Sequence, residues 1–171
     1  MRKRVLFSAA TALAVVSGGA LAQDRTKTPS GLPVPRYVSL KFTEVNARSG
    51  PSEDHRISWT YGRRGLPVEI TAETEMWRRI RDPDGSQAWV HKRTLDGRRT
   101  AMVRGAPRAF TPLRRSPEAD APVVAEVQSN VIGQLEECRD GWCRLQVGRR
   151  EGWIPAASLW GVDPDEARAA S

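Results

Sequence analysis

A chain of 171 residues with 39% hydrophobic residues is long enough for one ordinary domain or two small ones. Its two cysteines and two histidines cannot build a centre of several metal ions. Beyond the first 22 residues no stretch is apolar over the roughly 20 positions that cross a bilayer, which argues against a polytopic membrane protein. The formal net charge is +7, from 27 Lys and Arg against 20 Asp and Glu.

The N-terminus has the layout of a secretory signal peptide. Arg2, Lys3 and Arg4 form a positive patch, residues 5–16 are an apolar run, and Ala20-Leu21-Ala22 places small residues before Gln23. Cleavage is expected after Ala22, and an uncleaved anchor is the alternative. The run is short for an anchor, so no stable membrane insertion is expected. Cleavage would leave 149 residues and, with three cations removed, a net charge of +4. The remaining cations are interleaved with carboxylates rather than gathered on one segment, so nucleic acid is not the expected partner. Arginine outnumbers lysine by 23 to 4. Arginine grips carboxylates with two parallel hydrogen bonds, although compositional bias explains the same excess.

Residues 23–36, with Pro29, Pro33 and Pro35, read as a flexible or extended leader. Short strands are then expected at 37–41, 44–48, 57–61, 66–72, 76–81 and 87–91, most of them rich in branched or aromatic side chains. Turn residues separate them at Ser49-Gly50-Pro51, Arg64-Gly65 and Asp82-Pro83-Asp84-Gly85. The chain then repeats itself. NARSGP at 46–51 matches PLRRSP at 112–117, WRRI at 77–80 matches WCRL at 142–145, and AWV at 88–90 matches GWI at 152–154. The offset drifts only from 66 to 64 over the whole unit, as expected for duplicated units of about 60 residues that differ by one or two loop residues. Six short strands in so short a unit predict a small barrel, with single helical turns at 92–95 and 156–159.

The repeated order of Val45, Asn46, Arg48, Gly50 and Pro51, then Trp77 and Ile80, then Trp89, Val90 and Leu95, resembles bacterial SH3-like domains of the cell envelope, in their tandem exported form. Arg114, Pro117, Trp142, Leu145, Gly152, Trp153, Ile154 and Leu159 carry the resemblance in the second copy. It implies an all-β fold: two tandem small SH3-like barrels after a cleaved signal peptide. The expected divisions are a signal peptide at 1–22, leader at 23–36, barrel 1 at 37–97, linker and entry strand at 98–110, barrel 2 at 111–161 and C-terminal tail at 162–171.

Cys138 and Cys143 enclose the turn-like Arg139-Asp140-Gly141-Trp142, and in an exported protein they are expected to form a disulfide across a hairpin. A thiol nucleophile or a metal pair are the alternatives. A nucleophile would need a nearby base, and the only histidines, His55 and His91, lie in the other unit. The recurring tryptophans are first of all barrel-filling residues, while Trp59, Tyr61 and Trp77 are candidates to line a peptide groove. Strand alternation puts Arg79 and Arg81 opposite Ile80 and hence toward solvent. Arg48, Arg79 and Arg81 complete the candidate ligand site, with Arg48, Trp77 and Arg79 placed to hold a carboxylate-bearing peptide.

No GxSxG elbow or HExxH helix is present, so no catalytic residue, metal site or cofactor is expected. With residues 37–161 taken up by the two repeats and their joint, a non-enzymatic, periplasmic binding or scaffold protein is expected, and the resemblance implies that its partners are peptidoglycan or short peptide segments of envelope proteins. The alternatives are a specific partner or inhibitor of one envelope protein and, less favoured, a wall hydrolase.

Overall fold

The computed structural model describes residues 28–168; the expected signal peptide and residues 23–27 of the leader lie outside the described residues. The fold is all-β, with two seven-stranded antiparallel sheets, each wrapped around its own apolar core. The first contains β1 (Arg36–Leu40), β2 (Val45–Arg48), β3 (Ile57–Tyr61), β4 (Pro67–Glu73), β5 (Trp77–Arg81), β6 (Gln87–His91) and β7 (Leu95–Asp96). The second contains β8 (Thr100–Val103), β9 (Phe110–Arg114), β10 (Val123–Gln128), β11 (Ile132–Arg139), β12 (Trp142–Val147), β13 (Arg150–Pro155) and β14 (Leu159–Trp160). The spatial orders, β3-β2-β6-β5-β4-β1-β7 and β10-β9-β13-β12-β11-β8-β14, are the same permutation. The duplication read in the sequence is therefore a duplication of topology, and a short 3-10 turn precedes the last strand of each barrel as expected.

Period-two alternation sorts each strand into two faces. On β5, Ile80 is fully buried and Arg79 exposed; on β12, Leu145 is fully buried between the half-buried Arg144 and the exposed Gln146. A bulge breaks the alternation at one equivalent point in both copies. Register skips Thr71 between the pairs Ile70–Ile80 and Ala72–Arg79, and skips Glu136 between Leu135–Leu145 and Glu137–Arg144. The extra residue turns Ala72 and Glu137 to the outer face and Glu73 and Cys138 inward.

That inward position is filled by two different chemistries. In the second barrel Cys138 and Cys143 are register partners joined by a disulfide, as expected from the sequence. In the first, the equivalent partners are Glu73 and Arg78, an ion pair 3.1 Å apart whose side chains are 0% and 8% exposed. Arg36 also pairs with Glu73, and the Ser30 backbone N–H donates to its carboxylate at 3.2 Å. The described end of the leader is thus tied down by the charge on Glu73. Burial alone would raise this carboxyl's pKa, but the hydrogen bonds from Ser30 and Arg36 and the charges of Arg36 and Arg78 hold it below its ordinary value.

The second sheet takes in β8, which lies in the segment read as linker and entry strand and pairs with both β11 and β14. The expected tail contains a short helix, α1 (Pro164–Arg168). Asp163 Oδ1 accepts from the Asp165 N–H at 2.8 Å, Pro164 opens the turn, Arg99 pairs with Glu166 at 2.9 Å, and the Gly141 N–H donates to the Ala167 carbonyl at 2.8 Å. Five residues are too few to show a helical stripe in sequence.

The barrels meet around Trp160. Its indole N–H donates to the Pro67 carbonyl at 3.0 Å, and the edge-on Tyr37 ring lies 5.4 Å away. The guanidinium groups of Arg81 and Arg104 lie 5.6 and 5.0 Å from its ring centroid. Beside it, Thr100 Oγ1 donates to the Gly65 carbonyl at 2.8 Å and Arg63 to the Asn130 carbonyl at 2.6 Å. Gly161 sits at φ +103°, where a Cβ would come within 2.6 Å of the Thr100 carbonyl of its own barrel and 2.9 Å of Pro67 Cβ across the junction, so both the turn and the close approach of the barrels favour glycine there.

Candidate functional site

The six residues singled out from sequence divide between the two faces of the first sheet. Tyr61 is 9% exposed and belongs to the core. Its hydroxyl donates to Asp82 at 3.0 Å, and Asp82 in turn accepts from the Asp84 and Ser86 N–H groups, fixing the turn between β5 and β6. Burial, reinforced by the Asp82 charge, pushes the phenol pKa far above its ordinary value. Trp59 pairs with Ala47, packs against the core from the barrel rim and meets Tyr61 edge-on at 5.9 Å. Trp77 is on the outer face, but at 8% exposure it is packed edge-on against its cross-strand partner His91 at 5.3 Å.

The arginines are also dissimilar. Arg48 Nη1 donates to the Glu53 and His55 carbonyls at 2.9 and 2.7 Å, clamping its own loop. Arg114 does the same in the second barrel, to the Ala121 carbonyl at 2.7 Å, which gives the recurrence of this arginine a structural reason. Within the Arg48 loop, a Cβ on Gly50 would lie 2.4 Å from the His55 ring, so the imidazole packs against bare backbone. Arg81 is half-buried rather than free in solvent, because Nε donates to Glu69 at 2.7 Å and its guanidinium lies over Trp160. Arg79 alone of the set is exposed, and among the described residues its side chain has no carboxylate partner.

Arg79 lies in a row that the sequence reading did not assemble. Register runs Ala72–Arg79–Trp89–Arg48 across β4, β5, β6 and β2, with all four on the outer face. Trp89, read as barrel filling because it recurs, is only half-buried and stands between the two arginines. Strand pairing carries the signal that could have found it: opposite residues in adjacent strands share a face. Of the row, Arg79 alone also lines a groove of about 350 Å³, whose other walls are Pro35, Glu69, Thr71, Arg81 and Gln87.

The second barrel repeats this row as Glu137–Arg144–Trp153–Arg114. Here it is closed upon itself. Arg144 lies 3.4 Å from Glu137 and 3.2 Å from Glu151, and the Arg139 guanidinium covers the Trp153 ring at 4.6 Å. Trp153 is consequently only 6% exposed. In the first barrel, Ala72, Gln87 and Thr74 hold the positions of Glu137, Glu151 and Arg139 and supply none of these contacts. A separate cleft of about 600 Å³ lies beside the barrel junction, lined by Tyr37, Arg104, Leu159, Val162 and Ala167 among others. Burial, followed by the Glu69 charge, raises the Tyr37 phenol pKa.

Among the described residues no cluster of three or more His, Cys, Asp or Glu could hold a metal ion, and no helix is long and apolar enough to cross a membrane. None of the curated proteins compared matches the chain. Two solved structures, NlpC1 and NlpC2 from Trichomonas vaginalis, are similar over 73% and 75% of this chain, each at 16% identity and a TM-score of 0.34. The chain spans only 45% and 50% of their lengths, and likeness at that level carries no argument about fold or activity. The model of the bacterial SH3 domain, by contrast, matches twice, at residues 41–97 and 108–161, and each match falls on one of the two barrels. With both copies accounted for, the chain belongs to the bacterial SH3 domain family, as a tandem of two such domains.

Proposed function

We propose that this protein is a non-enzymatic, exported binding or scaffold protein of the cell envelope, acting in the periplasm on peptidoglycan or on short peptide segments of envelope proteins. The observation that carries the reading is the open outer row of the first barrel, where a half-buried Trp89 stands beside an exposed Arg79. An indole face offers contact area at low entropic cost, and a guanidinium offers paired donors to a carboxylate. A flat, solvated row of this kind is suited to recognition of an extended polymer or peptide.

Cosedimentation of the protein with purified peptidoglycan sacculi at low and moderate salt tests the reading. Retention that survives moderate salt is the expected result, because stacking on Trp89 is less screened than charge attraction alone. Absence of retention at both salt concentrations refutes wall binding and directs the search to a protein partner. Arg79→Glu reverses the exposed charge without touching a core residue and should reduce retention severalfold; unchanged retention would remove Arg79 from the site.

A further inference from the structure

The two copies place equivalent arginine and tryptophan residues on equivalent strands, but only the second supplies them with partners. On β11, Glu137 and Arg139 are two residues apart with Cys138 turned inward between them. The Glu137 carboxylate lies beside Arg144 while the Arg139 cation covers Trp153. Glu151 lies on another side of the same guanidinium. The second barrel therefore displays, within its own chain, partners for an Arg–Trp pair: carboxylates beside the arginine, whose buried Nε is left without a hydrogen bond, and a cation on the indole.

From this we infer that the outer face of the first barrel binds a peptide segment carrying a carboxylate two residues before a cation. The carboxylate accepts from Arg79 as Glu137 meets Arg144, and the cation lies over Trp89 as Arg139 lies over Trp153. The room exists because Ala72 and Thr74 are short where Glu137 and Arg139 are long. The difference in exposure between Trp89 and Trp153 is the surface left for the ligand. The second barrel, where Glu137, Glu151 and Arg139 already occupy these places, does not take the same peptide. This inference rests on the reading of the first barrel's outer face as a binding surface, and it adds the charge pattern of the ligand and the choice of copy.

The test is an NMR titration of isotope-labelled protein with acetyl-Glu-Ala-Arg-amide. The indole N–H resonance of Trp89 is assigned by its disappearance in Trp89→Phe. A saturable shift of that resonance is expected, with affinity falling about three- to fivefold when either the Glu or the Arg of the probe is replaced by Gln. Ala72→Glu/Thr74→Arg writes the second barrel's self-contacts into the first and should abolish the shift. The reverse pair, Glu137→Ala/Arg139→Thr, should make the Trp153 resonance respond as well. No shift at Trp89, or a shift indifferent to the probe's charges, overturns the inference. Sacculus retention by Ala72→Glu/Thr74→Arg equal to that of the parent protein also overturns it, while leaving wall binding intact. A charge-dependent Trp89 shift without any sacculus retention refutes wall binding and upholds the peptide site.

Discussion

Replacing Glu73 with Gln tests the electrostatic account of the first barrel's interior. The carboxylate is fully buried and faces Arg36, Arg78 and the Ser30 N–H, so the substitution keeps the shape and one acceptor but leaves two guanidinium groups without a counter-charge. Removing one member of a buried ion pair costs about 3–5 kcal/mol. Arg36 can turn toward water, and Arg78 retains the Thr74 and Trp77 carbonyls at 2.7 and 3.0 Å, which places the expected loss near the lower end, about 3 kcal/mol. With a urea m-value of about 2 kcal/mol per molar, the midpoint of the first barrel's transition should fall by about 1.5 M. Circular dichroism of urea unfolding at pH 7, with the disulfide intact, measures this. Because the folded pKa of Glu73 is depressed, its stabilisation is fully present above its ordinary value near 4.5 and disappears as pH falls through the lower folded value. The gap between parent and variant should therefore narrow in acid. A midpoint shift below about 0.5 M at pH 7, corresponding to only about 1 kcal/mol, would refute the buried-pair reasoning, as would a gap that persists undiminished at low pH.

Three further perturbations test the packing and the cross-link. Trp160→Ala removes the ring shared by the barrels together with its bond to Pro67; a loss of about 3–5 kcal/mol is expected in calorimetry, and a melt like the parent's would show that the junction contributes little. Reduction of Cys138–Cys143 should lower stability by about 2 kcal/mol, the chain-entropy value for so short a loop, with urea unfolding of the second barrel alone affected. Gly133→Ala would place a Cβ 2.6 Å from Leu145 Cγ and 2.8 Å from the Gln146 carbonyl; a loss of about 1–3 kcal/mol is expected in thermal melts, and parent-like melting would show that this core can yield.

Strand positions and the duplication were legible because they rest on period-two alternation and on motifs that occur twice. The bulges at Thr71 and Glu136 were not, although they decide which residues share a face. Arg78, which strand alternation puts on the face opposite Arg79 and Arg81, shares the inward face with Ile80. Its burial is tolerable only because Glu73 lies opposite, a long-range pairing that strand spacing does not specify. Trp89 and Trp153 are alike in sequence but unlike in environment, because the difference resides in what Ala72, Thr74 and Gln87 fail to provide. Recurrence located the framework, whereas the candidate binding surface depends on where the copies have diverged.

The packing around Trp160 also governs how the tandem would behave on an extended target. Two modules on a loose tether can adapt to many separations, with an effective concentration set by tether length. Here the last strand of one barrel inserts its indole against the other, and Gly161 allows the backbones to close around it. The pair then acts as a rigid caliper: a polymer touching both barrels must match one spacing and one angle, and a partner that does not match gains nothing from the second module.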